Sequence, residues 1–496
     1  MIRINSYFLT FLLGILIWFF LFYWVEDIFL SFLLLLFWAS IALNFIFYYR
    51  QFRYVLLLMI IWILLSLIYS SIHQSHIDSN LDILERYEWQ YVNYAWVVRE
   101  VYRRDDYQDE YIVDIQLVAK NTLKNKSKSI YSIVKVPKNF QLQPWQDIEF
   151  SGRFQMIEDF DSFAYKNFLL SKSIYFRTSV SKVDIISEST SITQKIFIFR
   201  ERLISVIWEL YPKNEAIFLA WILFWARENI PSDLKTDFNN SWLTHFIAVS
   251  GFNITLCIIF VSFLFAYFPI WFRVIWVIST ILTFSFFVWL WAPVVRASIM
   301  WILWYIFIQS WSPVRNIVLL TFTAVCMALW SPLALVYDVS LHLSFLAVIG
   351  IIYTQELFQK IFSFLPSSFA IREAFVLTLS ALSFSLPIML FQFWQVSLLA
   401  PLANIAVTWT IPLAMLWWAM SVVLYFIFPP LAELTWFITW IFLRYDIMIV
   451  QFFWNKEGAL FIFEIWNYKF FAESLYFILL IYFLIMYHLK IKKNEL

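Results

Sequence analysis

Glycine is scarce in this chain: 5 of 496 residues, where average usage of about 7% would place about 35. That leaves few positions for left-handed backbone or for close helix approach, although membrane helices normally use more glycine than soluble ones. Charge is scarce too. At 14% charged residues and a net charge of +1, the composition excludes an ordinary soluble domain, and any contact with nucleic acid has to be local. The two cysteines, Cys257 and Cys326, fall inside apolar runs, which makes them small hydrophobes rather than a disulfide framework. No G-x-x-x-x-G-K-[ST] string is present, even with every tryptophan read as glycine, so no built-in ATPase is expected. His73 and His76 form an H-x-x-H with no further histidine nearby, which suits interfacial side chains rather than a metal site. No cofactor and no enzyme activity are expected.

What is abundant is apolar sequence, 62% of the chain. The expected fold class is a polytopic α-helical membrane protein with an inserted small all-β extramembrane domain. Residues 1–70 carry three spans, at about 7–24, 28–49 and 54–69, each near the ~20 residues a crossing needs. The first is a retained helix rather than a signal peptide, because it lacks a small-residue cleavage site and another span follows at once. Glu26 and Asp27 occupy the first loop and Arg50 and Arg53 the second, so the positive-inside rule puts the N-terminus in the cytoplasm and the segment after the third span outside.

Over residues 71–190 hydropathy falls and short alternating runs replace the long apolar ones: YIVDIQLV at 111–118, SIYSIVKV at 129–136 and DIEFSGRF at 147–154. Period-two alternation rich in β-branched and aromatic residues predicts half-buried strands, and about 100 residues of them suit a small barrel such as an OB-fold. Lys120, Lys124, Lys126, Lys128, Lys135 and Lys138 make a basic run interleaved with Tyr111, Tyr131 and Phe140, the combination that holds single strands by stacking and phosphate tracking. Residues 81–190 as a whole hold 15 basic and 16 acidic residues, so folding has to sort any such face. Residues 191–211 place Ile196, Phe199, Leu203, Ile204, Ile207 and Tyr211 on one helical face and Lys195, Arg200, Arg202 and Glu209 elsewhere. That pattern fits a helix in the membrane interface or one packed under the soluble domain.

Residues 212–490 are near-continuous apolar sequence before a basic tail at 491–496, expected to be cytoplasmic. Spans are expected at about 241–268, 271–290, 294–308, 317–329, 336–353, 374–391, 400–426, 432–453 and 472–487, after a run at 216–226 too short to cross. Polar insertions are few. His245, Ser250, Asn253 and Thr255 sit in NNSWLTHFIAVSGFNIT, Arg227 and Glu228 in ARENIP, and Arg296 after APVV. Asp338 and His342 sit in YDVSLHLSFLAVIG, spaced to share a helical face, and Asn404 lies between Pro401 and Pro412. Polar groups at membrane depth mark a pathway or a site. They also glue helices together, snorkel or pair near span ends, or satisfy the backbone of a broken helix. Asp338 with His342 also has the residue types of a proton relay.

These strings, from about residue 215 to 425, resemble motifs of the ComEC competence-channel family, with the LTHFIAVSG string opening a core helix. His342 departs from the family's usual Gln and adds a titratable group. The resemblance implies an inner-membrane, multi-pass DNA-conducting channel for uptake of single-stranded DNA during transformation. It also implies an OB-like external domain, an interfacial helix, a separate cytoplasmic motor and an external DNA receptor. The channel-lining set it implies is His245, Ser250, Asn253, Arg296, Asp338, His342 and Asn404. No His-x-His-x-Asp-His string of the metallo-β-lactamase-like domain found in many relatives is present, so any nuclease needed is a separate protein. A secondary transporter or flippase for a small or lipidic substrate, built on the proline-broken helices, is the alternative, and a membrane scaffold is a third.

The resemblance improves when glycine replaces several of the 27 tryptophans, among them Trp145, Trp221, Trp225, Trp242, Trp289, Trp291, Trp301 and Trp394. We therefore expect the gene to come from a lineage that reads UGA as glycine. An interfacial aromatic belt is the other reading, but belts cluster at helix ends, and several of these residues lie mid-span.

Overall fold

A computed structural model describes residues 53–85, 88, 91–104, 108–116, 130–137, 140, 142, 146–159, 165–188, 192–224, 226, 251–288, 292–309, 316–365, 371–393, 395–397, 399–454 and 460–462. The chain divides into two compact units, one formed by Met1–Phe199 with Ser312–Val339, the other by Arg200–Trp311 with Ser340–Leu496. The spans expected at 7–24, 28–49 and 472–487 lie outside the described residues.

In the first unit α1 (Arg53–Glu85) runs for 33 residues, about 50 Å at 1.5 Å per residue. The helix continues well past the expected end of the span because Ile77, Leu81 and Leu84 recur at helical spacing. That stripe packs into the core of a β-barrel, with Ile77 and Leu84 buried. The barrel strands are β1 (Tyr91–Arg104), β2 (Gln108–Gln116), β3 (Ile130–Pro137), β4 (Gln146–Met156) and β5 (Ile174–Glu188), with the short helix α2 (Tyr165–Ser171) between β4 and β5. β2, β3 and β4 are the three alternating runs read from sequence. They close in the order β1-β2-β3-β5-β4, the last strand pairing back onto β1, with β3 and β5 parallel and the other pairs antiparallel. Closure removes the exposed strand edges. Alternate residues fill the interior: Val98, Val113, Val134, Val136, Ile148 and Phe176 are all buried. Gly152 sits where the β4–β5 register shifts, and a Cβ there would come within 2.4 Å of Thr178 Cγ2, so the bulge needs the missing side chain.

The same unit includes α8 (Asn316–Trp330) and the one-turn α9 (Ala334–Tyr337). Leu333 is buried in the barrel's core cluster, with Val336 and Tyr337 packed against it. Ser331 Oγ donates to Ser171 O at 2.7 Å, and the Tyr69 hydroxyl donates to Leu329 O. The barrel is thereby pinned both to α1 and to the turn that leaves α8.

The second unit is helical. It comprises α3 (Ile192–Leu210, largely in this unit), α4 (Lys213–Phe224), α5 (Gly251–Leu264), α6 (Ile270–Phe287), α7 (Ala292–Gln309), α10 (Val339–Ile361), α11 (Ile371–Phe393), α12 (Ala400–Thr408), α13 (Thr410–Ile427) and α14 (Pro429–Trp454). A two-stranded antiparallel pair, β6 (Gln395–Ser397) with β7 (Leu460–Ile462), completes it. One apolar cluster centres on α4 and takes in residues of α3, α12, α13 and α14. A second joins α5, α6 and α7. α10 and α11 touch at Gly350, where an added Cβ would lie 2.2 Å from Ser380 O. Among the described residues four stretches are long and apolar enough to cross a membrane: Ile270–Phe287, Val339–Ile361, Arg372–Leu390 and Leu402–Tyr425. The protein is a membrane protein.

Candidate functional site

The centre of the helical unit is α4. Its residues are buried from Glu215 through Phe224 on every face, because AIFLAWILF offers no polar side to place against water. Twelve residues rise about 18 Å, and the main-chain oxygens of the last turn are open to side chains from neighbouring helices. Two side chains reach them. Arg200 Nη2 donates to Phe224 O at 3.0 Å, and Asn253 Nδ2 donates to Ile222 O at 3.1 Å. A cation at a helix C-terminus also meets the favourable end of the helix dipole.

This corrects the sequence reading of α3. Its inward face is Phe197, Arg200, Ile204, Ile207 and Tyr211, all buried, whereas Phe199 is 51% exposed. Arg200 turns inward because α4 presents a carbonyl and Glu201 lies 2.6 Å from its guanidinium. Near the other end of α4, the buried Glu215 accepts from Arg444 Nη1 at 3.3 Å.

The expected lining residues that are described lie on several elements. Asn253 is 1% exposed on α5, and its Oδ1 has no hydrogen-bond partner. Arg296 is buried on α7 and donates through Nη2 to Ser340 O at 3.1 Å, with Ser340 Oγ at 3.4 Å, which ties α7 to the start of α10. Asp338 is buried but extended, with φ −90° and ψ 95°, between α9 and α10. It directly precedes α10, whose first residue is Val339. His342 is half-buried in the first turn of α10. Asn404, 2% exposed on α12, donates through Nδ2 to Thr378 Oγ1 of α11 at 3.5 Å, and its Oδ1 has no partner. Asn253 and Asn404 thus bond to different helices, α4 and α11. His245 and Ser250, with Arg227 and Glu228, lie outside the described residues.

The helix carrying Asn404 is interrupted at a single residue, Trp409, which keeps helical dihedrals (φ −86°, ψ −24°). α12 stops at Thr408 and α13 starts at Thr410, two residues before Pro412, whose missing N–H removes a rung of the ladder. Hydroxyls cluster at the break: Thr408 Oγ1 donates to Asn404 O at 2.5 Å, and Thr410 Oγ1 lies 2.8 Å from Val407 O and 2.5 Å from Asp446 Oδ1. Asp446, on α14, is 0% exposed, and its Oδ2 has no partner. Sequence reasoning passed over it. The signal was there: a carboxylate in the middle of a run read as a span, which is by default a functional position.

On the barrel, Lys135 stands opposite Glu110 in the β2–β3 register and pairs with it at 3.4 Å. Tyr111, expected to interleave with the lysines, is 1% exposed. Its hydroxyl donates to Asp109 Oδ2 and accepts from Leu142 N–H, both at 3.3 Å, so its ring belongs to the core and offers no stacking surface. Tyr131 and Phe140 are half-buried. Burial pushes the Tyr175 phenol up, partly offset by the hydrogen bond from Asn80. Lys120, Lys124, Lys126, Lys128 and Lys138 lie outside the described residues. No group of three or more His, Cys, Asp or Glu that could hold a metal occurs among the described residues.

A model of the family described as Competence protein matches residues 222–490, which take in α5, α6, α7 and α10 through α14 with all the expected lining positions. No curated protein and no solved structure matches the chain.

Proposed function

The chain belongs to the Competence protein family, and on that footing we propose that it is an inner-membrane channel for uptake of single-stranded DNA during natural transformation. The observation that carries the reading is the family match itself, which covers residues 222–490 and with them the buried Asn253, Arg296 and Asn404. The closed five-stranded barrel supports an OB-like domain outside the membrane, where lysines of the 120–138 segment meet the incoming strand. His245, Ser250, Asn253, Arg296, Asp338, His342 and Asn404 line the path in this reading and replace part of the water around the phosphates. The protein is a conduit without chemistry of its own, driven by a separate cytoplasmic motor, fed by an external receptor and served by a separate nuclease if one is needed.

The test is a deletion strain given labelled duplex DNA. DNA should still collect at the cell surface while labelled single strands fail to enter and transformants disappear. Transformation at the wild-type frequency in the deletion strain would overturn the proposal. The interrupted α12–α13 helix beside a buried acid favours one second reading, a secondary transporter. That reading predicts normal DNA entry and a lost small or lipidic substrate in the same strain.

A further inference from the structure

We propose that Asp446 is a resident proton-binding site of the helical unit, a neutral carboxylic acid that fastens the junction between α12 and α13. A threonine hydroxyl has one hydrogen to give, yet Thr410 Oγ1 has two oxygens within bonding distance, Val407 O at 2.8 Å and Asp446 Oδ1 at 2.5 Å. Both contacts are satisfied at once if Asp446 carries a proton and donates it to Thr410 Oγ1, while Thr410 donates onward to Val407 O. Each of these oxygens then has a defined role in one chain of bonds.

The surroundings agree. Asp446 and Thr410 are each 0% exposed, and the same faces carry Ile411, Ala414, Leu443, Ile447 and Val450, all buried. An ionised carboxylate there, with its Oδ2 unpartnered, would be strongly disfavoured. Charged groups on the packed elements are otherwise engaged or turned away. α12 and α13 carry no Asp, Glu, Lys, Arg or His, and Tyr425 of α13 is exposed. On α4, Glu215 is held by Arg444, and Lys213 is exposed. On α3, Arg200 is bonded to Phe224 O and Glu201, and Arg202 and Glu209 are exposed. On α14 itself Glu433 is exposed, Tyr445 is half-buried, and Arg444 projects about 200° around the helix from Asp446.

Loss of the proton has a defined consequence. The carboxylate Oδ1 becomes an acceptor only, Thr410 turns its hydrogen from Val407 O to Asp446, and the carbonyl that closed the turn is released. The proton passes to water, and the side-chain bond from Thr410 to Val407 O at the α12–α13 junction is lost. This device is independent of what the protein conducts.

The test is infrared spectroscopy of the full-length protein in lipid nanodiscs at neutral pH. A protonated-carboxyl C=O band should be present in the wild type and lost in Asp446→Asn, with wild-type thermal unfolding, because the amide N–H replaces the acid as donor to Thr410. Thr410→Val removes the acceptor and should move the same band to higher frequency; it carries the test alone if Asp446→Asn fails to insert. A wild-type spectrum without a protonated band sensitive to either substitution, or with an Asp446-dependent carboxylate band in its place, overturns the proposal.

Discussion

Asn253 donates through Nδ2 to the main-chain oxygen of Ile222 at 3.1 Å, so the SGFNIT string is fastened to the end of the fully buried α4. A residue expected to face a conduit is bonded to the element at the centre of the bundle.

The first prediction follows from that bond. Asn253→Leu leaves Ile222 O unpaired in an apolar setting, which costs about 1–3 kcal/mol. A lowered thermal midpoint and reduced DNA uptake should therefore appear together. Full thermal stability with abolished uptake would instead assign Asn253 to the lining alone.

Gly350 makes the second. Its missing Cβ lets α10 approach Ser380 O of α11, a backbone atom that cannot step aside as a flexible side chain would. Gly350→Ala should force the helices apart and cost roughly 1–3 kcal/mol, as overpacking does. An unfolding curve unchanged from wild type would show that the two helices are not held at this distance.

The barrel supplies the third. Replacing Lys124, Lys126 and Lys128 by alanine should weaken single-strand binding by the full-length protein and flatten its salt dependence by about 0.7 in log–log slope per lost phosphate contact. Lys135→Ala should do less, because Lys135 is engaged with Glu110; a half-exposed pair of this kind is worth about 0–1 kcal/mol to the fold. A triple variant with unchanged salt slope would leave these lysines no role at phosphate.

The fourth concerns the residues themselves. Trp221 is buried in the α4 cluster, a large ring on a helix buried from Glu215 through Phe224. Mass spectrometry of the peptide over 213–226 from the native host should read glycine at 221 and at 225, and the gene should carry UGA there. Tryptophan in that peptide, encoded by UGG, would end the idea and return the rings to packing and interface roles.

Much of this protein is determined by local pattern. Long apolar runs require a membrane, since no soluble surface can be built from α5, α6, α10 and α13. Period-two alternation marks β2, β3 and β4 because the strand repeat is carried by neighbouring residues. The positions of polar insertions are likewise legible one by one. What each polar group touches was decided only by the tertiary structure, because its partner comes from another element. Barrel closure needs β1 to meet β4, as at Tyr94 opposite Phe150. Arg200 turns inward because it meets the Phe224 carbonyl of α4, and Tyr111 leaves the surface because its hydroxyl donates to Asp109 and accepts from Leu142 N–H. Arg444 and Asp446, two residues apart on α14, go to different partners, the arginine to Glu215 and the acid to Thr410. A side chain's period along its own helix fixes a direction, and the environment found in that direction belongs to the rest of the fold.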